Sequence, residues 1–278
     1  AVLIAMVSVQ TGASLAKQLF PIVGAQGTTS LRLGIAAIIL CALWRPWRKR
    51  ITRRELGLIV TFGLALGTMN YLFYLALQTI PLGIAVAIEF TGPLAVSFLA
   101  SRRPLDFAWA ILAVIGIVLV LPLSSSATAL DPIGLAYALG AGVCWGLYIF
   151  LGQRAGSQLP GGTITSLGML TAAAVFTPLG AIQATGPLFD LKILPIALGV
   201  GLLSSALPYS LEMIALKRLP AKNFGILMSL EPAIGAFSGL LFLGEILSVT
   251  QWVAIGCVIF ASVGSSATLK TIKPNPAL

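Results

Sequence analysis

The chain has 278 residues, 58% of them apolar and only 9% charged, with a mean hydropathy of +1.02. A soluble domain averages about 25% charged residues, so 17 cations and 8 anions are too few to cover the surface of one this long. Soluble enzymes, nucleic-acid binders and disordered chains fit poorly, and a polytopic membrane protein fits well.

A bilayer crossing takes about 20 mostly apolar residues, and ten such runs follow one another along the chain. The first, Val2–Phe20, resembles the later ones rather than a cleavable signal peptide, and it carries Lys17 near its far end. The opening residue Ala1 points to a short native start that has been trimmed. Pro21 separates this run from Ser30–Trp44, the shortest, with Arg32 at its beginning. The Arg45-Pro46 turn leads to Leu56–Leu77, which holds Asn70, Tyr71 and Tyr74. Asn70 and Tyr74 are four apart and share a helix face, an arrangement suited either to binding a small polar solute or to packing between helices. After Ile80-Pro81 comes Gly83–Ala100, with Glu89 six residues in and Pro93 interrupting the helix. Arg103-Pro104 opens Phe107–Leu123, Asp131-Pro132 opens Ile133–Leu151, and Leu159-Pro160-Gly161-Gly162 opens Thr163–Ile182. Beyond Gly186-Pro187, Leu194–Leu216 contains Ser204, Ser205, Pro208, Tyr209, Ser210 and Glu212. Leu219-Pro220 leads to Asn223–Leu243, with Glu231 beside Pro232, and Thr250–Leu269 closes the series. The prolines fall where the preceding helix cannot continue, and no linker is long enough for a soluble domain.

With the N-terminus placed in the cytoplasm, fourteen of the seventeen cations fall in cytoplasmic loops or at the C-terminus. They include Arg45, Arg48, Lys49, Arg50, Arg53, Arg54, Arg102, Arg103, Arg154, Lys217, Arg218, Lys222, Lys270 and Lys273. Lys17, Arg32 and Lys192 fall on the opposite side, at helix ends. This positive-inside asymmetry predicts both termini inside and accounts for the net charge of +9 without nucleic acid. At an offset of 139 residues, Ala76-Leu77-Gln78-Thr79-Ile80-Pro81 matches Ala215-Leu216-Lys217-Arg218-Leu219-Pro220, and Pro93 matches Pro232. An offset of five crossings inverts the second copy, the arrangement common in secondary transporters. The expected halves are 1–123 and 132–269. Gly63/Gly67, Gly142/Gly146 and Gly235/Gly239 are spaced for close helix packing.

The chemistry is limited by what is missing. There is no histidine, hence no Ser-His-Asp triad or HExxH metal site, and no GxSxG or P-loop is present. Cys41, Cys144 and Cys257 are far apart in apolar runs and read as buried hydrophobes. No enzyme, metal or cofactor is implied. Ionisable groups inside a bilayer are functional candidates by default. Low dielectric disfavours a charged carboxylate, so Glu89 and Glu231 are the leading candidates for proton coupling, with Glu212 beside them. Glu212 also suits a boundary ion pair, and Lys17 a side chain that snorkels to the surface. Pro93, Pro208 and Pro232 are expected to kink their helices and expose backbone groups to a cavity.

The blocks Gly12-Ala13-Ser14-Leu15-Ala16-Lys17, Met69-Asn70-Tyr71-Leu72-Phe73-Tyr74, Ala87-Ile88-Glu89-Phe90-Thr91-Gly92-Pro93, Leu207-Pro208-Tyr209-Ser210-Leu211-Glu212 and Ser229-Leu230-Glu231-Pro232 resemble the bacterial threonine/homoserine exporters. These belong to the EamA-type branch of the drug/metabolite transporter superfamily. The resemblance implies ten transmembrane helices in two inverted five-helix repeats in the bacterial inner membrane. It further implies proton-driven efflux of small amino acids, with another amino acid, metabolite analogue or drug as the alternative cargo. On that reading Lys17 meets the substrate carboxylate, and Glu89 pairs with the ammonium or exchanges the proton. Asn70, Tyr71, Tyr74, Tyr209 and Ser210 supply hydrogen bonds.

Overall fold

A computed structural model describes residues 1–100, 104–120, 130–156, 158–188, 190–216 and 227–268, and every regular element among them is helical. The first element, α1 (Val2–Trp44), is 43 residues long, about twice what one crossing needs. Its interior non-helical residue is Gly24, at φ 76 and ψ 167, where a Cβ would be strained. A straight helix would hold Ser8 and Ile35 roughly 40 Å apart. Instead the Ser8 hydroxyl donates to the Leu203 carbonyl at 2.6 Å, and Ile35 packs on Gly201. The chain therefore doubles back at Gly24, and its two arms, 2–23 and 25–44, lie side by side.

That reversal corrects the sequence reading at two points. Pro21, expected to mark the turn, lies inside the first arm, and the turn takes the single residue Gly24 rather than the whole stretch between Phe20 and Ser30. The second arm consequently begins earlier, and Arg32, expected at a helix end, sits two turns inside it with 5% of its surface exposed.

A capping box starts α2 (Arg53–Ala76): Thr52 Oγ1 accepts from the Glu55 amide, and the Glu55 carboxylate accepts from the Thr52 amide. The next apolar run is split at Phe90 into α3 (Leu82–Glu89) and α4 (Thr91–Ala100). Pro93 has no N–H to offer the Glu89 carbonyl one turn back, which explains the break. After α5 (Pro104–Val120), α6 (Pro132–Gly156) is capped by Asp131, whose carboxylate accepts from the Ile133 and Gly134 amides. A hydrogen bond from Thr79 ties Asp131 to the α2–α3 turn and is the main cause holding its carboxyl below the ordinary range. α7 (Gly161–Ile182) follows. Next, α8 (Leu194–Gly201) passes through a π-helical turn, Leu202–Ala206, into α9 (Leu207–Leu216). α10 (Glu231–Leu243) and α11 (Val249–Thr268) complete the described elements.

Six of these helical stretches are long and apolar enough to cross a bilayer: Val2–Trp44, Arg53–Ala76, Pro132–Gly156, Gly161–Ile182, Leu194–Glu212 and Val249–Ala267. Leu82–Val96, Phe107–Leu119 and Glu231–Leu243 are apolar but shorter. The apolar residues point outward as well as inward: Ile38, Ile111, Val143 and Phe260 are exposed, whereas Gln10, Arg32, Asn70, Glu89 and Glu231 are buried. A molecule with a polar centre and an apolar exterior is built for lipid, not water. The arms of α1 pack on α7 through α10, α2 on α6 and α7, α3 on α6 and α10, and α5 on α11.

All three glycine pairs serve as packing faces. Gly63 and Gly67 meet Thr171 and Phe176 of α7, Gly142 and Gly146 meet the α3–α4 break and Val96, and Gly235 meets Val86 while Gly239 meets Glu245. The three cysteines are unpaired. Arg102, Arg103, Lys217, Arg218, Lys222, Lys270 and Lys273, on which much of the charge asymmetry rests, lie outside the described residues. So does Lys217–Pro220 of the second repeat segment.

Candidate substrate and proton site

The interior is organised by helix breaks. In the π-helical turn the Leu207 amide reaches back to the Leu202 carbonyl, and Pro208 has no N–H for the Ser204 carbonyl. Two backbone oxygens are thus released, and both are taken by α1. The Ser8 hydroxyl donates to Leu203 O, and Arg32 Nη2 donates to Ser204 O at 2.8 Å. Arg32 Nε donates to Ser205 Oγ at 3.0 Å. The guanidinium carbon lies 5.0 Å from the centre of the Tyr74 ring, within cation–π range. Gly12 lets the first arm come this close, since a Cβ on it would meet Ser204 at 2.6–2.9 Å.

Carboxyl groups gather around the same point. Glu89 ends α3 with 7% of its surface exposed and its backbone against Gly142. Its carboxyl is within electrostatic range of Glu231 and Arg32. Glu231 begins α10, and its Oε1 accepts from Gln10 Nε2 at 3.2 Å. The second Glu231 oxygen, Gln10 Oε1 and the Tyr74 hydroxyl are buried with no hydrogen-bond partner among the described residues. Glu212, on α9, interacts with Glu231. The Tyr209 phenol lies in the field of Arg32, Glu212 and Glu89 and in hydrogen-bond reach of Asn70. Asn70 Nδ2 donates to Leu66 O at 2.7 Å. Each carboxyl has a proline close by in sequence, Glu89 with Pro93, Glu212 with Pro208, and Glu231 with Pro232.

Of the residues expected from sequence, Asn70, Tyr74, Glu89, Tyr209, Glu212 and Glu231 therefore converge. Ser210 gives its hydroxyl to Ala206 O at 2.7 Å on its own helix. Tyr71 turns to α7, donating to Gln183 Oε1 and packing its ring on Phe176. Lys17 is engaged elsewhere. Its ammonium is 2.5 Å from Glu245 Oε1 and 3.4 Å from Ile80 O, while Glu245 Oε2 accepts from the Leu82 amide at 2.8 Å. This half-buried pair staples the first arm of α1, the start of α3 and the α10–α11 turn. Lys17→Gln is expected to destabilise the fold by roughly 1–3 kcal/mol, between the values for exposed and buried pairs. A thermal unfolding comparison with the Lys17→Glu/Glu245→Lys exchange checks this, since the exchanged pair should recover most of the loss.

Sequence reasoning missed Gln10, Glu245 and the weight of Arg32. Gln10, Ser14 and Lys17 are spaced i, i+4, i+7, a polar stripe on one helix face that was there to be read.

The family model described as EamA-like transporter family matches residues 132–267. The chain is 53% identical over 268 residues to the threonine/homoserine exporter RhtA of Escherichia coli (strain K12), covering 96% of this chain and 90% of that protein. It is 54% identical, over the same shares, to the exporter of that name from Salmonella typhimurium (strain SL1344). The uncharacterized transporter YwfM of Bacillus subtilis (strain 168) is 25% identical over 259 residues, 90% of this chain and 86% of its own. A solved crystal structure aligns over 95% of both chains with a TM-score of 0.63 at 17% identity, a likeness of fold.

Proposed function

This chain belongs to the EamA-like transporter family, and we propose that it exports threonine, homoserine and similar small amino acids from the cytoplasm by proton antiport. The observation that carries the reading is 53% identity across nearly the whole chain to a threonine/homoserine exporter. The buried Arg32, Glu89 and Glu231, with Glu212 half-buried beside them, support it, because a zwitterion and a coupling proton both need charge inside the membrane. Glu89 and Glu231 receive the ammonium or the proton, and Asn70, Tyr74 and Tyr209 offer hydrogen bonds to the side-chain hydroxyl. Proton and substrate favour opposite-facing states, which gives alternating access.

The architecture proposed for this cycle is ten crossings in two inverted halves, 1–123 and 132–269, with both termini in the cytoplasm. The doubling of α1 supports the count, since it turns one helix into two crossings. The family model spans 132–267, nearly the second half alone. The prolines at an offset of 139 and the cation asymmetry support inversion and orientation.

The test is counterflow in proteoliposomes. Vesicles of the purified chain loaded with unlabelled threonine should take up labelled L-threonine, with homoserine competing and unrelated drugs or nucleosides not. Uptake no greater than in protein-free vesicles, with counterflow of another solute from the panel, would assign a different cargo.

A further inference from the structure

We propose that Arg32 recognises the carboxylate of the transported amino acid. The assignment rests on the amino-acid export reading above. A carboxylate leaving water for a low-dielectric site needs a cation with free donors. Lys17, the residue first expected to supply one, is bound to Glu245 and Ile80 O at the end of the bundle where α3 begins. Arg32 is at the centre, beside Ser204, Ser205 and the Tyr74 ring, and its planar guanidinium matches carboxylate geometry.

Its hydrogen bonding leaves room for a ligand. A guanidinium has five N–H groups. Among the described residues Arg32 gives one from Nε to Ser205 and one from Nη2 to Ser204 O, which leaves both Nη1 hydrogens and one on Nη2. These two nitrogens form the fork that binds a carboxylate through two parallel hydrogen bonds. The backbone carbonyl released by Pro208 and the Tyr74 ring hold the group in place, so the fork is oriented before a ligand arrives. Glu89, whose carboxyl is in electrostatic range of Arg32, is also in range of Glu231, and Glu231 Oε2 and Gln10 Oε1 are buried acceptors with no partner among the described residues. They suit the other end of a zwitterion, an ammonium with three donors. The substrate then lies with its carboxylate on Arg32 and its ammonium toward Gln10 and Glu231. The site selects molecules with a free α-carboxylate, and it excludes the corresponding amides.

The experiment is competition against labelled L-threonine counterflow in proteoliposomes of the full chain, using unlabelled L-threonine and L-threoninamide. In the unaltered protein threoninamide should compete about 100-fold more weakly or worse, because it leaves the Arg32 fork unpaired. In Arg32→Gln threonine should weaken toward threoninamide until the gap closes, and Arg32→Lys should keep part of it. Equal competition by the two compounds in the unaltered protein overturns the assignment, even where neither variant folds. A gap unchanged in Arg32→Gln overturns it too, leaving Arg32 the role of holding the π-helical turn. Absence of threonine counterflow in the unaltered protein overturns the export reading, and the assignment with it.

Discussion

Glu89→Gln should abolish threonine accumulation driven by a pH gradient while preserving counterflow. Proteoliposomes with an acidic lumen drive inward movement through molecules whose cytoplasmic face is outward. The variant should fall to the level of protein-free vesicles in this assay. Glu89 is buried at the α3–α4 break, and its carboxyl lies in electrostatic range of another carboxyl, Glu231, and of the Arg32 guanidinium. A group so placed feels any change in its own charge strongly, because charges close together in low dielectric interact strongly. Glutamine keeps the size and the hydrogen-bonding oxygen but cannot ionise, so exchange of substrate for substrate survives and coupling does not. Full gradient-driven accumulation in Glu89→Gln would remove Glu89 from the coupling step and leave Glu231, followed by Glu212, as the carboxyl to test. Loss of both activities would assign Glu89 to substrate binding.

Gly92→Val should leave little folded protein. The α3–α4 break packs against α6 so closely that a Cβ on Gly92 would overlap the Gly142 carbonyl oxygen. Backbone has nowhere to move there, because Gly142 itself rests on the Glu89 backbone. Overpacking of this kind costs about 3 kcal/mol or more, and it displaces the carboxyl that sits at the break. The measurement is the fraction of monodisperse protein after detergent extraction, with its unfolding midpoint. Gly199→Ala is the matched control. Nothing lies within 4 Å of its added Cβ, and alanine favours helix over glycine by about 1 kcal/mol. It should be neutral or mildly stabilising. If Gly92→Val matches the control, the close approach of α4 to α6 is not a requirement of the fold.

The sequence made the membrane class and the helical runs legible because apolar length is a one-dimensional signal. It also exposed the carboxyls, since an ionisable residue in an apolar run stands out without any knowledge of its neighbours. What it hid was pairing. Lys17 looked available for a substrate, and only the fold brings Glu245 to it from 228 residues away. Arg32 looked like a boundary residue because Pro21 is a stronger turn signal than Gly24. Placing the turn three residues too early, and the following helix five residues too late, moved Arg32 from the interior to the edge. Pro93 and Pro208 stand beside breaks in their helices, whereas Pro232 lies in the first turn of α10. Which partner takes each freed carbonyl was not legible, as that depends on which helix packs alongside.

Arg32 also orders events in time. Its partners Ser204 and Ser205 lie 172 and 173 residues further along the chain, and Ser8 in the same hairpin waits for Leu203, 195 residues on. When the first hairpin enters the bilayer during synthesis, none of these partners has yet been made. An arginine without hydrogen-bond acceptors in lipid costs a few kcal/mol, so the opening hairpin is left incomplete until the π-helical turn arrives to close it. A fragment ending near residue 123 would carry that deficit permanently. The opening hairpin is made first, but it is finished only by Leu203, Ser204 and Ser205.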